Sequence, residues 1–465
     1  MRPRCETLSP KVHLVALIFM LPITALLMLA LIAATFLSIG MCNANAVPVL
    51  GFGAFVSFLY LFPATIYGIA WSAYLLRAQQ DRPPYALVGT PALARLVPFL
   101  PLSPIRCAKV AKAALNYLGL CLRYAPLVKD WLLNSVYYTK PHERDLIYDA
   151  IPYAVPFSNQ FLDVYPPLKP CETAQGFNTD LSRHGTYQGA PVLVLIPSPI
   201  LPVRLFSRRK AYLQLVSKLR AMGFCVVVPD IRYYPEVRIR DSVGDLRFAL
   251  SWVGAHISSY GGNPAAIYTL GFGLSAHLIT LTLVQEAVAL SHTVAFHAVA
   301  SVGMEDSKSE LEKHQFKNLE IYLPQVRLPQ LAGVVLVAGL SDVIKGYRLE
   351  MKQGIEHLSY LRRFVGPSHA QCLLHSPVHL LMEKKSIIEP SFLPNKFLLI
   401  HGGKDQTIPL YHSSLLKTLL SESGVGEVKL RAYRNLGHFE ALACLATSTS
   451  PYAKQIMADL REFIS

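Results

Sequence analysis

Apolar residues fall into three regimes along the chain. From Leu14 to Gly40, and again from Val47 to Leu76, they run almost unbroken and without charge. Between 81 and 158 prolines and basic residues interrupt them. From about Asn159 onward, short apolar runs alternate with amphipathic stretches. The runs at 161–165, 191–196, 224–229, 267–270, 334–337, 397–400 and 428–432 have the length and composition of buried strands. The stretches 210–222, 241–258, 275–287, 410–420 and 451–463 have helical spacing. Buried strands alternating with helices predict an α/β fold, with a mostly parallel sheet covered on both faces. Segments at about 305–328 and 346–391 read as insertions, the second placed where a cap would sit.

The two long apolar runs each exceed the roughly 20 residues that span a bilayer as a helix. Arg2, Arg4 and Lys11 precede the first; Arg77, Arg82 and Arg95 follow the second. Basic residues stay cytoplasmic, so the pattern predicts a transmembrane hairpin with both ends in the cytosol. The alternative is a cleaved signal peptide, for which Ala44-Asn45-Ala46 supplies a small-x-small site. The first run is longer than a signal core and a second follows it, which favours the hairpin. The chain then divides into 1–80 (hairpin, spans about 14–40 and 47–76), 81–158 (a connector partly apposed to the membrane, with a helix at 108–131) and 159–465.

Net charge is +14 and mean hydropathy +0.34. Lys and Arg are scattered, with no aromatic-interleaved basic stripe, which argues against nucleic acid. Beside two apolar spans, attraction to an anionic membrane is the better use of that charge. The eight cysteines are dispersed and form no CxxC pair, so neither a zinc site nor a dense disulfide framework is expected. No phosphate-binding Gly-x-x-x-x-Gly-Lys loop is present. No metal or cofactor is expected.

The chemistry gathers around Leu270-Gly271-Phe272-Gly273-Leu274-Ser275-Ala276-His277, a strand-to-helix turn. Esterases of the α/β type place a nucleophile on such a turn, in the pattern Gly-x-Ser-x-Gly, with the acid and then the histidine later in the chain. Here Ser275 stands two places late. Asp405, after Gly402-Gly403-Lys404, and His438, after Gly437, follow in that order. A shifted turn would make Ser275 the nucleophile, His438 its base and Asp405 the group that orients His438. Against this, His277 is bulky where a small residue is needed, and Ser275 otherwise reads as a small residue at a tight helix start. Asp342 is a fallback acid, though a helix cap suits it better. His401 and His277 read as structural, and Asp230 with Arg232 as a buried charge pair.

Leu162-Asp163-Val164-Tyr165-Pro166, Pro229-Asp230-Ile231-Arg232-Tyr233-Tyr234-Pro235, Tyr260-Gly261-Gly262-Asn263-Pro264 and Ala276-His277-Leu278 resemble the carboxylesterase-like α/β-hydrolases. The nearest subgroup is the membrane-anchored isoprenylcysteine methylesterase-like proteins, and the resemblance covers about 160–465. It implies an α/β-hydrolase fold, with the endoplasmic reticulum as the membrane; the two spans and the apolar connector favour a lipophilic ester, such as a prenylated methyl ester, an acetylated sterol or an acylglycerol, and the basic flanks place the hydrolase domain in the cytosol. There are two departures. In an ungapped match Gly273, not Ser275, takes the nucleophile position. The family's His-Gly-Gly-Gly oxyanion loop falls on Pro197-Ser198-Pro199-Ile200, where two prolines have no N–H to donate. The N–H groups of Ser198 and Ala276 remain as candidate oxyanion donors. Three functions compete: an ester hydrolase, a pseudo-hydrolase that binds a lipid or protein without turnover, and a transport component. The last is disfavoured because neither span carries polar residues at its centre.

Overall fold

The computed structural model describes residues 61–74, 103–137, 147–154, 160–168, 189–199, 209–302, 326–384, 388–446 and 451–464, less positions 235, 357, 360 and 367. Eight strands are described: β1 (Tyr148–Pro152), β2 (Phe161–Tyr165), β3 (Ala190–Ile196), β4 (Cys225–Pro229), β5 (Gly262–Phe272), β6 (Gly333–Val337), β7 (Lys396–Gly402) and β8 (Glu427–Tyr433). The helices that matter below are α1 (Pro104–Tyr137), α2 (Leu213–Ala221), α3 (Ile239–His256), α4 (Leu274–Val302), α5 (Val343–Gln353), α6 (Leu361–Val365), α7 (His369–Leu374), α8 (Pro377–Lys384), α9 (Tyr411–Glu422), α10 (His438–Ala446) and α11 (Ala453–Ile464).

The strands form one sheet in the order β1-β2-β4-β3-β5-β6-β7-β8. β1, β2 and β4 pair antiparallel, and every pairing from β4–β3 to β7–β8 is parallel. Parallel neighbours need crossovers that cover the faces, so the middle strands must be apolar on both sides. β3, β4 and β6 are buried at every residue. The edge strand β8 carries Glu427, Lys429 and Arg431, with a Lys429–Glu427 contact of 2.7 Å; charge on an edge discourages pairing with another chain. On one face Leu195, Val228, Leu270, Val337 and Ile400 meet Leu215 and Leu219 of α2 and Ile456, Leu460 and Phe463 of α11. The spacing in α11 is the i, i+4, i+7 stripe of an amphipathic helix. Fully burying each such side chain stabilises by about 1.5–3 kcal/mol.

The sheet starts earlier than the sequence suggests. β1 lies inside the expected connector, because its residues are largely exposed and carry no buried-strand pattern. α4 runs far beyond the expected 275–287. The predicted first span and most of the second lie outside the described residues. Within the second, 61–74 is helical. Among the described residues one helix is long and apolar enough to cross a membrane, Leu274–Val294, and 83% of it is buried inside the protein; it is the core helix behind β5. Most of the expected insertion at 305–328 also lies outside the described residues. The one at 346–391 carries the end of α5 and the short helices α6 to α8.

Two compact units emerge, one of 1–125 with 347–363, the other of 126–346 with 364–465. In the first, Ala70, Tyr74, Cys107 and Val110 form a small core with Leu358 packed against it. Arg106 pairs with Glu356. Ile105, Leu115, Leu118 and Leu122 of α1 are exposed. The second unit holds the whole sheet and every candidate site residue.

Candidate active site

β5 delivers the chain to the middle of the sheet and ends at Phe272; α4 begins at Leu274. Gly273 makes the corner with φ +57°, a left-handed conformation that costs other residues about 1–2 kcal/mol. Its N–H donates to Val337 O (2.9 Å), and its carbonyl accepts from His277 N–H (3.1 Å). The corner is tight. A Cβ on Gly271 would stand 2.6 Å from Ile279 Cδ1 and 2.8 Å from Ala276 N, so only glycine fits beneath the helix. Gly273 is the apex, the place from which a nucleophile would project in this fold.

Ser275 does not project. It is fully buried, and its hydroxyl accepts from Phe272 N–H (2.9 Å) and donates to Phe272 O (3.0 Å). It ties the turn together from inside, and no hydrogen bond joins it to His438. The Ser275 nucleophile expected from sequence is therefore corrected: one residue past the apex the chain already turns into α4, and the side chain faces inward. Ala276 follows it into the interior with no exposed surface, its N–H beneath Gly271, so it is not placed as an oxyanion donor.

The base side is complete. The loop after β7 and the loop after β8 are joined by Gly403 N–H to Tyr433 O (2.8 Å) and Lys404 N–H to Leu436 O (3.0 Å). This brings Asp405 against His438, the first residue of α10. His438 Nδ1 lies 2.6 Å from Asp405 Oδ2. The other oxygen, Oδ1, accepts from Thr407 N–H (2.9 Å) and Ile408 N–H (2.8 Å). Burial would raise the Asp405 pKa, but hydrogen bonds from His401, His438 and Ile408 outweigh it and hold the carboxyl down at about 2. An ionised Asp405 at Nδ1 assigns the proton there and leaves Nε2 as the free base. Phe272 packs against the imidazole at 4.7 Å between ring centroids. A Cβ on Gly273 would stand 3.6 Å from His438 Nε2, so the base faces the apex.

The loop after β3 is pinned by two tyrosines that sequence reading missed. Ser198 N–H donates to Tyr212 Oη (3.0 Å), and Tyr233 Oη donates to Pro197 O (3.0 Å). Burial pushes the Tyr212 phenol up to about 12, so it stays neutral. Because Ser198 N–H is engaged, it is not available as an oxyanion donor, a third correction after Ser275 and Ala276. A signal for Tyr212 and Tyr233 was thin: each sits in an otherwise ordinary helix start or loop, a buried ring with a polar tip.

The remaining candidates are structural. Burial pushes His277 down to about 4; its Nδ1 meets Leu340 O at 2.8 Å. His401 is held by Ser413 Oγ and Ile408 O, both at 2.7 Å. Asp342 accepts from Lys345 N–H (3.0 Å), as a cap does. Asp230 and Arg232 do not pair with each other: Arg209 takes Asp230 (2.7 Å), and Asp245 takes Arg232 (2.6 Å). Among the described residues no three His, Cys, Asp or Glu side chains gather as a metal site.

Residues 206–420 match the BD-FAE family. The chain is 24% identical over 207 residues to a probable isoprenylcysteine alpha-carbonyl methylesterase of Oryza sativa, covering 44% of this chain and 42% of that protein. It is 24% identical over 326 residues to an esterase, LipQ, of Mycobacterium tuberculosis, covering 69% and 64%. The chain thus spans about half the length of these relatives. Esterase B of Lactobacillus rhamnosis superposes with a TM-score of 0.49 at 15% identity, over 78% of this chain and 96% of that one.

Proposed function

For a chain that belongs to the carboxylesterase-like α/β-hydrolase family, we propose hydrolysis of a carboxylic ester, with His438 as general base and Asp405 as the carboxylate that orients it. The observation that carries this is the 2.6 Å Asp405–His438 contact with Nε2 facing the apex. Asp405 fixes the tautomer and stabilises the imidazolium that forms when Nε2 takes a proton. The first N–H groups of α4 have no acceptor within the helix, and the positive end of the helix favours a developing oxyanion. That of Leu274 directly follows the apex, the position from which this fold donates.

The proposed substrate is a lipophilic ester reached from a membrane, with the hydrolase unit on the cytosolic face of the endoplasmic reticulum. Support comes from the uncharged runs at 14–40 and 47–76, from the exposed leucines of α1, and from the relative named for a prenylated methyl ester. A second reading, a lipid-binding protein without turnover, has one observation in its favour: Gly273 offers no side chain at the apex. The test is hydrolysis of p-nitrophenyl esters and of a prenylcysteine methyl ester by detergent-solubilised full-length protein. Turnover that His438→Ala removes supports the enzyme; saturable ester binding with no turnover supports the second reading.

A further inference from the structure

With Gly273 at the apex and Ser275 turned inward, the site needs a hydroxyl from elsewhere. A Cβ on Gly273 would stand 3.6 Å from His438 Nε2 and 4.0 Å from Ser198 Oγ. The free base nitrogen and the Ser198 hydroxyl thus flank one small space above the apex, from the two opposite loops. Ser198 Oγ has no hydrogen-bond partner among the described residues, and its residue is half-buried. Its backbone is fixed. Pro197 and Pro199 restrict the chain on either side, and the buried Tyr212 and Tyr233 hold Ser198 N and Pro197 O. A loop that has given up its oxyanion donors is still built to hold one hydroxyl in place.

We propose that Ser198 is the nucleophile of this site; the proposal rests on the ester-hydrolase reading above. Glycine at 273 leaves this space open, since a Cβ there would come within 4.0 Å of both Ser198 Oγ and His438 Nε2. A turn about the Ser198 Cα–Cβ bond moves Oγ between staggered positions, and catalytic hydrogen bonds commonly tighten only when substrate binds. Ser198 Oγ attacks the ester carbonyl carbon as its proton passes to His438 Nε2. The carbon–alkoxide bond then breaks, and His438 returns the proton to the departing alkoxide. Water attacks the acyl-Ser198 ester, giving its proton to His438. The carbon–Oγ bond breaks, Ser198 recovers the proton, and the products are acid and alcohol. Placing the nucleophile on the loop after β3 keeps the developing oxyanion at the start of α4, where unpaired N–H groups stand.

The experiment treats full-length detergent-solubilised protein with a fluorophosphonate, maps the adduct by peptide mass spectrometry, and compares ester hydrolysis by wild type, Ser198→Ala and Ser275→Ala. The expected result is an adduct on Ser198, hydrolysis reduced by about 10²-fold or more in Ser198→Ala, and hydrolysis retained in Ser275→Ala. Mapping on wild type decides the matter even if a variant fails to fold. Hydrolysis by wild type with the adduct elsewhere, or an undiminished Ser198→Ala, overturns the Ser198 assignment and leaves the esterase standing. A folded wild type that neither hydrolyses nor labels overturns both.

Discussion

On one side of the site, Asp405 is fixed through both carboxylate oxygens and His438 through Nδ1, which leaves Nε2 free; on the other, Gly273 and the Pro197–Pro199 loop retain a frame but not its usual groups. Asp405 uses one oxygen for two backbone N–H groups and the other for His438. At the apex, the positive φ of Gly273 and the close strand–helix contact at Gly271 preserve the geometry of a nucleophile turn with no side chain upon it. Backbone and side chain therefore answer to different constraints. The sheet crossover sets the turn, whatever residue occupies its tip. Only reaction chemistry sets the residue. On the ester-hydrolase reading, an intact base beside an empty tip calls for a hydroxyl from a neighbouring loop.

The largest effect belongs to the base. His438→Ala should lower ester hydrolysis by about 10²–10⁴-fold and also lower the melting temperature, because the buried Asp405 loses its partner. A variant that keeps its rate would mean that the complete side of the site is ornamental. Acid should separate the two sides next. His277, beneath the turn, is neutral in the fold at a pKa of about 4 against an ordinary 6.5. Relative to neutral pH the fold loses about 3 kcal/mol as pH falls from 6.5 to 4, because the unfolded chain takes up a proton that the buried imidazole does not. Asp405, at about 2 against 3.8, keeps its contribution until pH falls below about 4 and loses it toward 2. Denaturant titrations between pH 7 and 3 should show the loss beginning well above pH 4; a flat profile from 7 to 4 would contradict the turn's dependence on a neutral imidazole.

A smaller effect should follow from Ser275→Ala. It leaves Phe272 N–H buried without its partner, at a cost of about 1–3 kcal/mol, read as a lower melting temperature at unchanged specific activity. Activity lost at unchanged stability would return Ser275 to the chemistry. The mildest is Gly273→Ser. The nearest atom to its Cβ would be 3.6 Å away, so it fits at a strain of about 1–2 kcal/mol. Its hydroxyl would face His438, and peptide mapping should find a fluorophosphonate adduct at position 273. No adduct there would show that the apex has drifted from the base despite its backbone.

The order of strands and helices was legible because buried parallel strands write themselves as continuous apolar runs, as at 191–196 and 334–337. β1 was not, because an exposed antiparallel edge strand carries no such run. Asp405 and His438 were legible from their glycine-rich loops after predicted strands. Their contact was not, since it depends on hydrogen bonds between two loops 30 residues apart in the chain. Ser275 misled because a serine near an elbow looks alike whether it faces out or in; that is settled by helix phase, which two residues shift by more than half a turn. The charge pairing of Asp230 and Arg232 failed for a related reason: both lie after β4, but their partners, Arg209 and Asp245, come from separate elements.

Helix α4 carries a consequence for the birth of the molecule. Its Leu274–Val294 segment has the length and hydropathy of a bilayer span, yet it ends up 83% enclosed by protein. The strands β6 to β8 are all synthesised after it. Of the elements packed against it, β5 and α3 precede it in the chain and α8 follows it, so part of its apolar surface is covered only by residues made later.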